Sequence, residues 1–505
     1  MLAWTIYLTF AGVAVLTLLP RDQIRAARWV ALWTALAGAV AAFGGAFAYK
    51  PGTWQTVAKL PWVPSLGIDY HLAVDGISVT LVLLTALAAV AGILFSWNVE
   101  RRAKEFFAFY LALIGGVYGV FLSVDAFLFF VFYEIAIIPK YFLIAIWGST
   151  RKEYGAMKLA LYSFIGSALV LIGLIAVFVV ARAQTGVATF DLLALGKLAY
   201  PETFQRWVFP LVFVGFAILA GLWPFHTWAP TGHVAAPTAA SMLLAGVVMK
   251  LGAYGCLRVA MTLFPLGARY WQTEIAALAV IGIVAGALVA LVQQDFKFVI
   301  GYSSVSHMGF VVLGLATLNE VGLNGAVLQM FSHGVIAGLL FGVVGRMVYD
   351  RTHTRDLTAL GGFHLGRALP FAAVTFVLAG MASMGLPGFS GFVAELQVLI
   401  GAWRAFPTAG VLAGVGIVIG VAYLLRAMQR AFFADAGEAA AVPAGEASHA
   451  DDAHALEPVS GPERLGAMLL LGATLLIGLY PRLLMDLIGP SVHALVEAMR
   501  KGGGS

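Results

Sequence analysis

Four ionisable side chains interrupt long apolar stretches of this chain. They are Glu134, Lys250, His333 and Glu395, in the segments FLFFVFYEIAII, MLLAGVVMKLGAYG, VLQMFSHGVIAGLLF and GFSGFVAELQVLIGA. A charge in the middle of a bilayer costs roughly 2.5–3.5 kcal/mol, so such residues usually face a protein interior or a hydrated cavity and handle ions. Together they predict a path for protons or other ions.

Each residue type suits one step of proton transfer. Burial favours the neutral form of a carboxylic acid and a nearby cation favours its charged form, so Glu134 can act as a gate if a cation moves near it. Burial disfavours the charged form of lysine, which lets Lys250 titrate near neutral pH where arginine would stay charged. His333 can pass a proton between its two ring nitrogens, and Glu395 can exchange protons with the non-cytoplasmic side.

The composition is that of a polytopic membrane protein. Of 505 residues, 61% are hydrophobic and 11% charged, whereas soluble domains carry about 25% charged residues. The net charge of +5 comes from Lys and Arg between apolar runs, which indicates topology signals rather than a nucleic-acid surface. Cys256 is the only cysteine, so neither an intrachain disulfide nor a cysteine-held zinc or iron–sulfur site is expected.

Apolar runs of about 20 residues predict fourteen transmembrane helices, numbered here in chain order. They lie near residues 2–19, 29–48, 72–97, 106–122, 124–147, 159–181, 207–224, 238–261, 274–293, 297–316, 322–347, 369–403, 409–433 and 465–481. The even number places both termini on one side of the membrane. The loops opposite the termini hold seventeen Lys and Arg residues against eleven on the terminal side, which predicts both termini outside the cytoplasm.

The most polar segment is residues 434–464, which we interpret as a solvated cytoplasmic loop because it is rich in Ala, Gly, Pro and acidic residues. Its His449, Asp451, Asp452 and His454 have metal-ligand residue types, but nothing in the segment preorganises a site, so no metal is predicted.

Two apolar runs are interrupted. Residues 221–237 (GLWPFHTWAPTGHVAAP) and 383–392 (SMGLPGFSGF) place Gly and Pro where a straight helix would run. Irregular backbone at membrane depth is tolerated only in a protein interior or beside a hydrated cavity, and paired breaks in two halves of a chain point to inverted repeats. We therefore predict helices 1–3 in residues 1–105, one five-helix repeat in 106–262, a second in 273–433, and the last helix with a C-terminal tail in 465–505.

At this point the motifs resemble those of a known family. The segments FYEIAIIPKYFLIAIWG, WPFHTWAPTGHVAAPTAASMLLAGVVMKLGAYGCLR, DFKFVIGYSSVSHMGFVVLGL, THTRDLTALGGF and MGLPGFSGFVAELQVLIGAW are similar to the antiporter-like subunit M of respiratory complex I, a NADH:quinone oxidoreductase. Mrp-type cation/proton antiporters share the same fold. The resemblance implies an all-α membrane protein with fourteen helices, two inverted repeats, broken helices 7 and 12, and a central row of charged residues.

The resemblance also implies roles and partners. Glu134, Lys250, His333 and Glu395 match the family's relay positions in helices 5, 8, 11 and 12. Redox energy from partner subunits, which carry FMN, iron–sulfur clusters and quinone, would drive protons through them in the bacterial inner membrane. The chain itself would hold no cofactor, and neighbouring antiporter-like subunits would be its partners.

One family position departs from the pattern. The family normally has a lysine in helix 7, seven residues before His226, that pairs with the helix-5 glutamate, and this chain has Leu219 there. Lys140 follows Pro139 and lies six residues after Glu134, about 240° around an ideal helix. Its side chain either reaches the central row and supplies the missing cation, or extends to the cytoplasmic interface.

Structural alternatives remain open for each site. Glu134 and Lys250 could hold helices together in buried ion pairs, and His333 could bond a carbonyl on a neighbouring helix. His226 and His307 are further candidates for which capping or interfacial roles compete with proton transfer. For the whole chain, the functions are a proton-translocating complex I-like subunit, a subunit of an Mrp-type antiporter, or a structural membrane subunit with an impaired channel.

Overall fold

The computed structural model describes residues 1–434 and 456–501 and is predominantly helical. In these residues twelve helices are long and apolar enough to cross a membrane, and a shorter first helix and the broken helix 12 complete the predicted series. The helices, in order, are Trp4–Leu18, Ile24–Ala48, Gly76–Phe95, Ala103–Leu122, Ala126–Trp147, Lys152–Thr185, Glu202–Ala220 with Trp228–Ala235, Thr238–Met261, Pro265–Val292, Phe296–Ala316, Glu320–Thr352, Pro370–Ser383 with Ser390–Ala405, Pro407–Phe432 and Gly461–Leu479. The metal-ligand-type residues His449, Asp451, Asp452 and His454 lie outside the described residues.

Two elements on the terminal side were not predicted from the sequence. An antiparallel hairpin of β1 (Gln55–Val63) and β2 (Ile68–Val74) precedes helix 3, which begins at Gly76 and not near residue 72. Asp75 ends the strand and caps the helix, since its carboxylate accepts the Ser78 backbone N–H at 2.9 Å.

The predicted C-terminal tail is a helix from Arg482 to Lys501. Its apolar face is buried, and the Ser491 hydroxyl accepts a hydrogen bond from the Gly76 backbone N–H at 2.9 Å. This helix therefore packs across the terminal side of the bundle and against the start of helix 3.

Both predicted helix breaks are confirmed. The first half of helix 7 ends at Ala220 and is followed by Gly221 with φ +82°, and helix 12 is interrupted by Gly385 with φ +71° and Gly388 with φ +99°. Positive φ values are costly for residues with a Cβ, so glycine at these positions permits the chain to leave the helix.

The starts of helices 5 and 10 show the inverted relation of the two predicted repeats. Asp125 caps helix 5 and forms an isolated β-bridge with Asp191, while Asp295 caps helix 10 and bridges to Asp356. Each bridge is closed by two backbone hydrogen bonds of 2.8–2.9 Å between equivalent positions. Because five crossings separate the two starts, the bridges lie at opposite ends of the bundle, as an inverted repeat requires.

The two capping carboxylates differ in their electrostatic surroundings. Burial raises the pKa of Asp125 to about 6, although backbone N–H groups of Leu128, Asp69 and Phe127 counteract this effect. Burial also raises the pKa of Asp295, but the Arg355 guanidinium at 3.2 Å opposes it. The repeats are therefore alike in backbone and unlike in charge.

A buried ion cluster fastens helix 14 to helix 11. The Glu463 carboxylate accepts from Arg346 Nε at 2.7 Å and from an Arg351 terminal nitrogen at 2.8 Å, and Arg351 also donates to the backbone carbonyls of Glu457 and Pro458. Arginine stays charged, and here almost every donor direction is used, so the cluster is suited to a structural role.

We expect Glu463→Gln to lower the free energy of unfolding by about 3–5 kcal/mol, because the buried Arg351 loses its carboxylate partner and Arg346 keeps only Asp350. Thermal unfolding of the purified protein in detergent measures this loss. The control is Glu202→Gln, which removes an exposed pair with Arg206 and should cost less than about 1 kcal/mol. Equal stability of the two variants would contradict a structural role of the cluster.

Candidate functional site

Lys250 and His333 meet between helices 8 and 11. The Lys250 Nζ lies 2.7 Å from His333 Nδ1 and also donates to the Ala245 carbonyl. Both side chains are buried, with exposed fractions of 0% and 3%. Because a charged lysine only donates, Nδ1 accepts and the ring proton belongs on Nε2, which has no hydrogen-bond partner in the described part of the chain. The imidazole can therefore receive a proton at one nitrogen and release another at the opposite one.

Small residues and a widened helix bring this pair together. Gly246 and Gly334 face each other across the interface, where a Cβ on Gly334 would lie 2.5 Å from the Gly246 carbonyl oxygen. Residues Leu244–Val248 form a π-helical turn, and the Ala245 carbonyl that accepts from Lys250 lies within it. Such turns are frequent at functional sites because they free backbone groups from the regular ladder.

His307 connects the same region to both halves of helix 12. Its ring centre lies 5.4 Å from that of His333. Its Nδ1 is 3.1 Å from Glu395 Oε1, and its Nε2 is 3.1 Å from the Ser383 hydroxyl. Ser383 ends the first half of helix 12 and Glu395 lies in the second, so a single imidazole contacts the chain on each side of the break.

The break also makes room for the Glu395 carboxylate. Glu395 is 4% exposed and accepts from the Gln329 amide at 3.3 Å. A Cβ on Gly385 would lie 2.7 Å from Glu395 Oε2, so glycine is required there for space as well as for its backbone angle. The break and the carboxylate were predicted from the sequence, whereas Gln329, which donates to Glu395, and Ser383, which bonds His307, were not among the predicted site residues.

Glu134 lies apart from this group. It is partly buried on helix 5, and its Oε1 has no hydrogen-bond partner among the described residues. Leu219, in the position where the family has a lysine, is 1% exposed and apolar. Lys140 is fully buried, so its amine does not reach solvent in this structure.

Two histidines follow the break in helix 7. His226 is partly buried, with its ring centre 6.4 Å from that of Tyr302 and its Nδ1 unpartnered within the described ranges. His233, which is not among the predicted site residues, is fully buried and packs on Phe341 with a ring-centre separation of 5.0 Å. Its position between two prolines of the interrupted segment was the signal available in the sequence.

Lys297, at the predicted start of helix 10, is buried in the first turn of that helix. Its exposed fraction is 2%, and its Nζ donates to the Ala236 carbonyl at 3.3 Å. Because Ala236 joins helices 7 and 8, this lysine connects the start of helix 10 to the junction of those two helices. A lysine two residues after the capping Asp295 resembles an interfacial residue in sequence, which is why its burial was missed.

Several buried polar atoms on helices 5, 7 and 11 have no hydrogen-bond partner in the described part of the chain. In residues 1–434 and 456–501 they include Glu134 Oε1, Lys140 Nζ, both His233 nitrogens, Gln329 Oε1 and His333 Nε2. Buried polar groups normally have hydrogen-bond partners, and ordered water commonly supplies them in polar cavities. The described residues contain no group of three or more His, Cys, Asp or Glu side chains placed to hold a metal ion.

We expect Gly334→Ala to separate Lys250 from His333, because the new methyl group would push helix 11 away from helix 8. Proton transport should fall severalfold, and the amount of assembled protein should decrease. Gly338→Ala is the matched control one turn along, where a Cβ finds its nearest neighbours at 3.7 and 3.9 Å. Normal transport by an assembled Gly334→Ala variant would contradict the requirement for this close approach.

Comparison with known proteins relates this geometry to a family. A sequence model of the family described as NADH:quinone oxidoreductase/Mrp antiporter, TM, matches residues 123–420. The NADH-quinone oxidoreductase subunit M of Rhodobacter capsulatus is 38% identical over 506 residues, which cover 97% of this chain and 95% of the relative.

Solved structures agree with this relationship. A chain of respiratory complex I from Thermus thermophilus superposes with a TM-score of 0.88 at 28% identity, covering 99% of this chain and 100% of the other. A chain of the Mrp complex from a Dietzia species has a TM-score of 0.82 at 21% identity, with coverage of 98% and 99%, and shares the fold. The chain therefore belongs to the NADH:quinone oxidoreductase/Mrp antiporter transmembrane family.

Proposed function

We propose that this chain is the proton-translocating membrane subunit of a complex I-like NADH:quinone oxidoreductase in the bacterial inner membrane. The observation that carries the proposal is the buried row from Lys250 through His333 and His307 to Glu395. The Lys250–His333 and His307–Glu395 pairs lie at hydrogen-bond distance, and the two imidazole ring centres between them are 5.4 Å apart. Each member can bind and release a proton, and together they connect the middle of helix 8 to the second half of broken helix 12.

Proton transfer along the row follows from its contacts. Lys250 Nζ gives a proton to His333 Nδ1 across 2.7 Å, and His333 releases its other proton from Nε2. One water molecule between the two imidazoles would carry that proton to His307, whose Nδ1 lies 3.1 Å from the Glu395 carboxylate. Glu134 acts upstream, as the gate that controls when Lys250 is reloaded.

The two breaks give the row a direction. With both termini outside the cytoplasm, the second half of helix 7 lies toward the cytoplasmic side and the second half of helix 12 toward the opposite side. His226 and His233 therefore stand on the uptake path, and Glu395 stands on the release path. The breaks supply irregular backbone beside each half-path, which is tolerated where water enters.

Energy for transport comes from partner subunits in this proposal. The chain has one cysteine and no cysteine cluster, so electron transfer through FMN, iron–sulfur clusters and quinone belongs to those partners. Solved relatives are parts of multi-subunit assemblies, including respiratory complex I. Copurification of the tagged chain followed by mass spectrometry tests this assignment: flavin, iron–sulfur and quinone-site subunits should be recovered.

The second candidate function is that of a subunit of a cation/proton antiporter, which the shared fold with the Mrp complex favours. Recovery of small antiporter subunits alone, together with transport driven by a sodium gradient in the absence of electron donors, would support this alternative over the complex I-like function.

We expect Lys250→Met to lower coupled proton uptake severalfold, because it removes the titratable group that donates to His333 while nearly preserving volume. Uptake is measured with a pH-sensitive dye in membrane vesicles, and assembly by native electrophoresis. Lys197→Met, which removes an exposed lysine from a loop on the terminal side, should leave uptake unchanged. Full uptake by an assembled Lys250→Met complex would end the relay hypothesis.

A further inference from the structure

We infer that Lys140 supplies, from helix 5 itself, the positive charge that controls the Glu134 gate, in place of the lysine that helix 7 lacks. This inference rests on the proposed function, because it concerns the regulation of the same proton path. It assigns a positioning role to Lys140, which acts through Glu134 and not on the transported proton directly.

The burial of Lys140 is the first observation. Its side chain is 0% exposed, and its Nζ has no hydrogen-bond partner among residues 1–434 and 456–501. A lysine placed for helix packing alone would carry a large desolvation cost without any compensating contact. The other two buried lysines that the structure describes, Lys250 and Lys297, each donate to a backbone carbonyl.

The position of Glu134 on the same helix is the second observation. Glu134 Oε1 and Lys140 Nζ are both buried atoms without a hydrogen-bond partner among the described residues. Side chains on a helix lean toward its N-terminus, so the Lys140 stem leans back toward Glu134. The six-residue separation corresponds to about 9 Å along an ideal helix, and Pro139 allows the helix to deviate between them.

The apolar surroundings of Leu219 on helix 7 are the third observation. Leu219 is buried in the apolar core, and Gly252 of helix 8 packs against the backbone of helix 7 beside it. This position therefore presents an apolar surface and offers no charge to Glu134. With leucine at this site on helix 7, the buried Lys140 on helix 5 is the cation that we assign to Glu134.

Placing the cation on helix 5 and not on helix 7 changes how the gate can work. When the cation is on helix 7, its distance from the carboxylate depends on the relative movement of two helices. With both groups on helix 5, the distance depends on the extension of the lysine side chain and on the bend at Pro139. The gate of this chain then responds to changes within helix 5 and does not require helix 7 to move.

The test combines removal and relocation of the charge in the full membrane complex. Lys140→Met should lower proton uptake about as much as Glu134→Gln, and the double variant should be little worse, since members of one pair are not additive. Lys140→Met combined with Leu219→Lys should restore much of the lost uptake, because it returns a cation to the position from which the family normally supplies it. Lys197→Met serves again as the control.

A second readout is independent of transport. Removing a nearby cation favours the neutral acid, so infrared difference spectra at fixed pH should show a larger protonated-carboxyl band in Lys140→Met or Lys140→Gln, and this gain should vanish when Glu134→Gln is added. Normal uptake with an unchanged carboxyl band in an assembled Lys140→Met complex would overturn the inference. So would a Lys140→Met, Leu219→Lys complex in which the new lysine neither restores uptake nor changes the band. Electron transfer without proton uptake by the unmodified complex would instead contradict the proposed function, while the infrared comparison would still test the pair.

Discussion

Every polar group buried between these helices must be satisfied without bulk water, and this requirement separates the charged residues into two sets. Arg258 with Asp75, and Arg346 and Arg351 with Glu463, form short ion pairs near the ends of the bundle. The inner set consists of lysine, histidine and glutamate side chains, and three of them, Glu134, Lys140 and His333, have a buried polar atom without a hydrogen-bond partner in the part of the chain that the structure describes. Arginine cannot release its proton, whereas lysine and histidine can, so the residue types match the two roles.

Close backbone approach is the second requirement on which the site depends. Gly246 and Gly334 allow helices 8 and 11 to meet, and Gly385 leaves room for a carboxylate oxygen beside a broken helix. In a membrane the hydrophobic effect does not drive helices together, so close packing at small residues contributes to their association instead. The same glycines therefore account for helix association and for the short distances between titratable groups.

The two repeats share backbone geometry while their side chains have diverged. Helices 5 and 10, the second helix of each predicted repeat, begin with an Asp cap and a β-bridge at opposite ends of the bundle. Of the two caps, Asp295 has an arginine beside it and, within the described residues, Asp125 does not. For the proposed proton path, repeats that carry different charges provide two unlike ends, which directional transport requires.

Hydropathy and residue type are local properties, and they were enough to predict the fourteen helices, the two breaks and the four ionisable residues. The β-hairpin and the helix Arg482–Lys501 were missed because their apolar residues alternate with polar ones and produce no long hydrophobic run. The tertiary structure alone decided which residues meet: Lys250 and His333 are 83 positions apart, and His307 and Glu395 lie on different helices. It also decided that Lys140 is buried, because six residues along a helix with a proline leave its direction open until the neighbouring helices close around it.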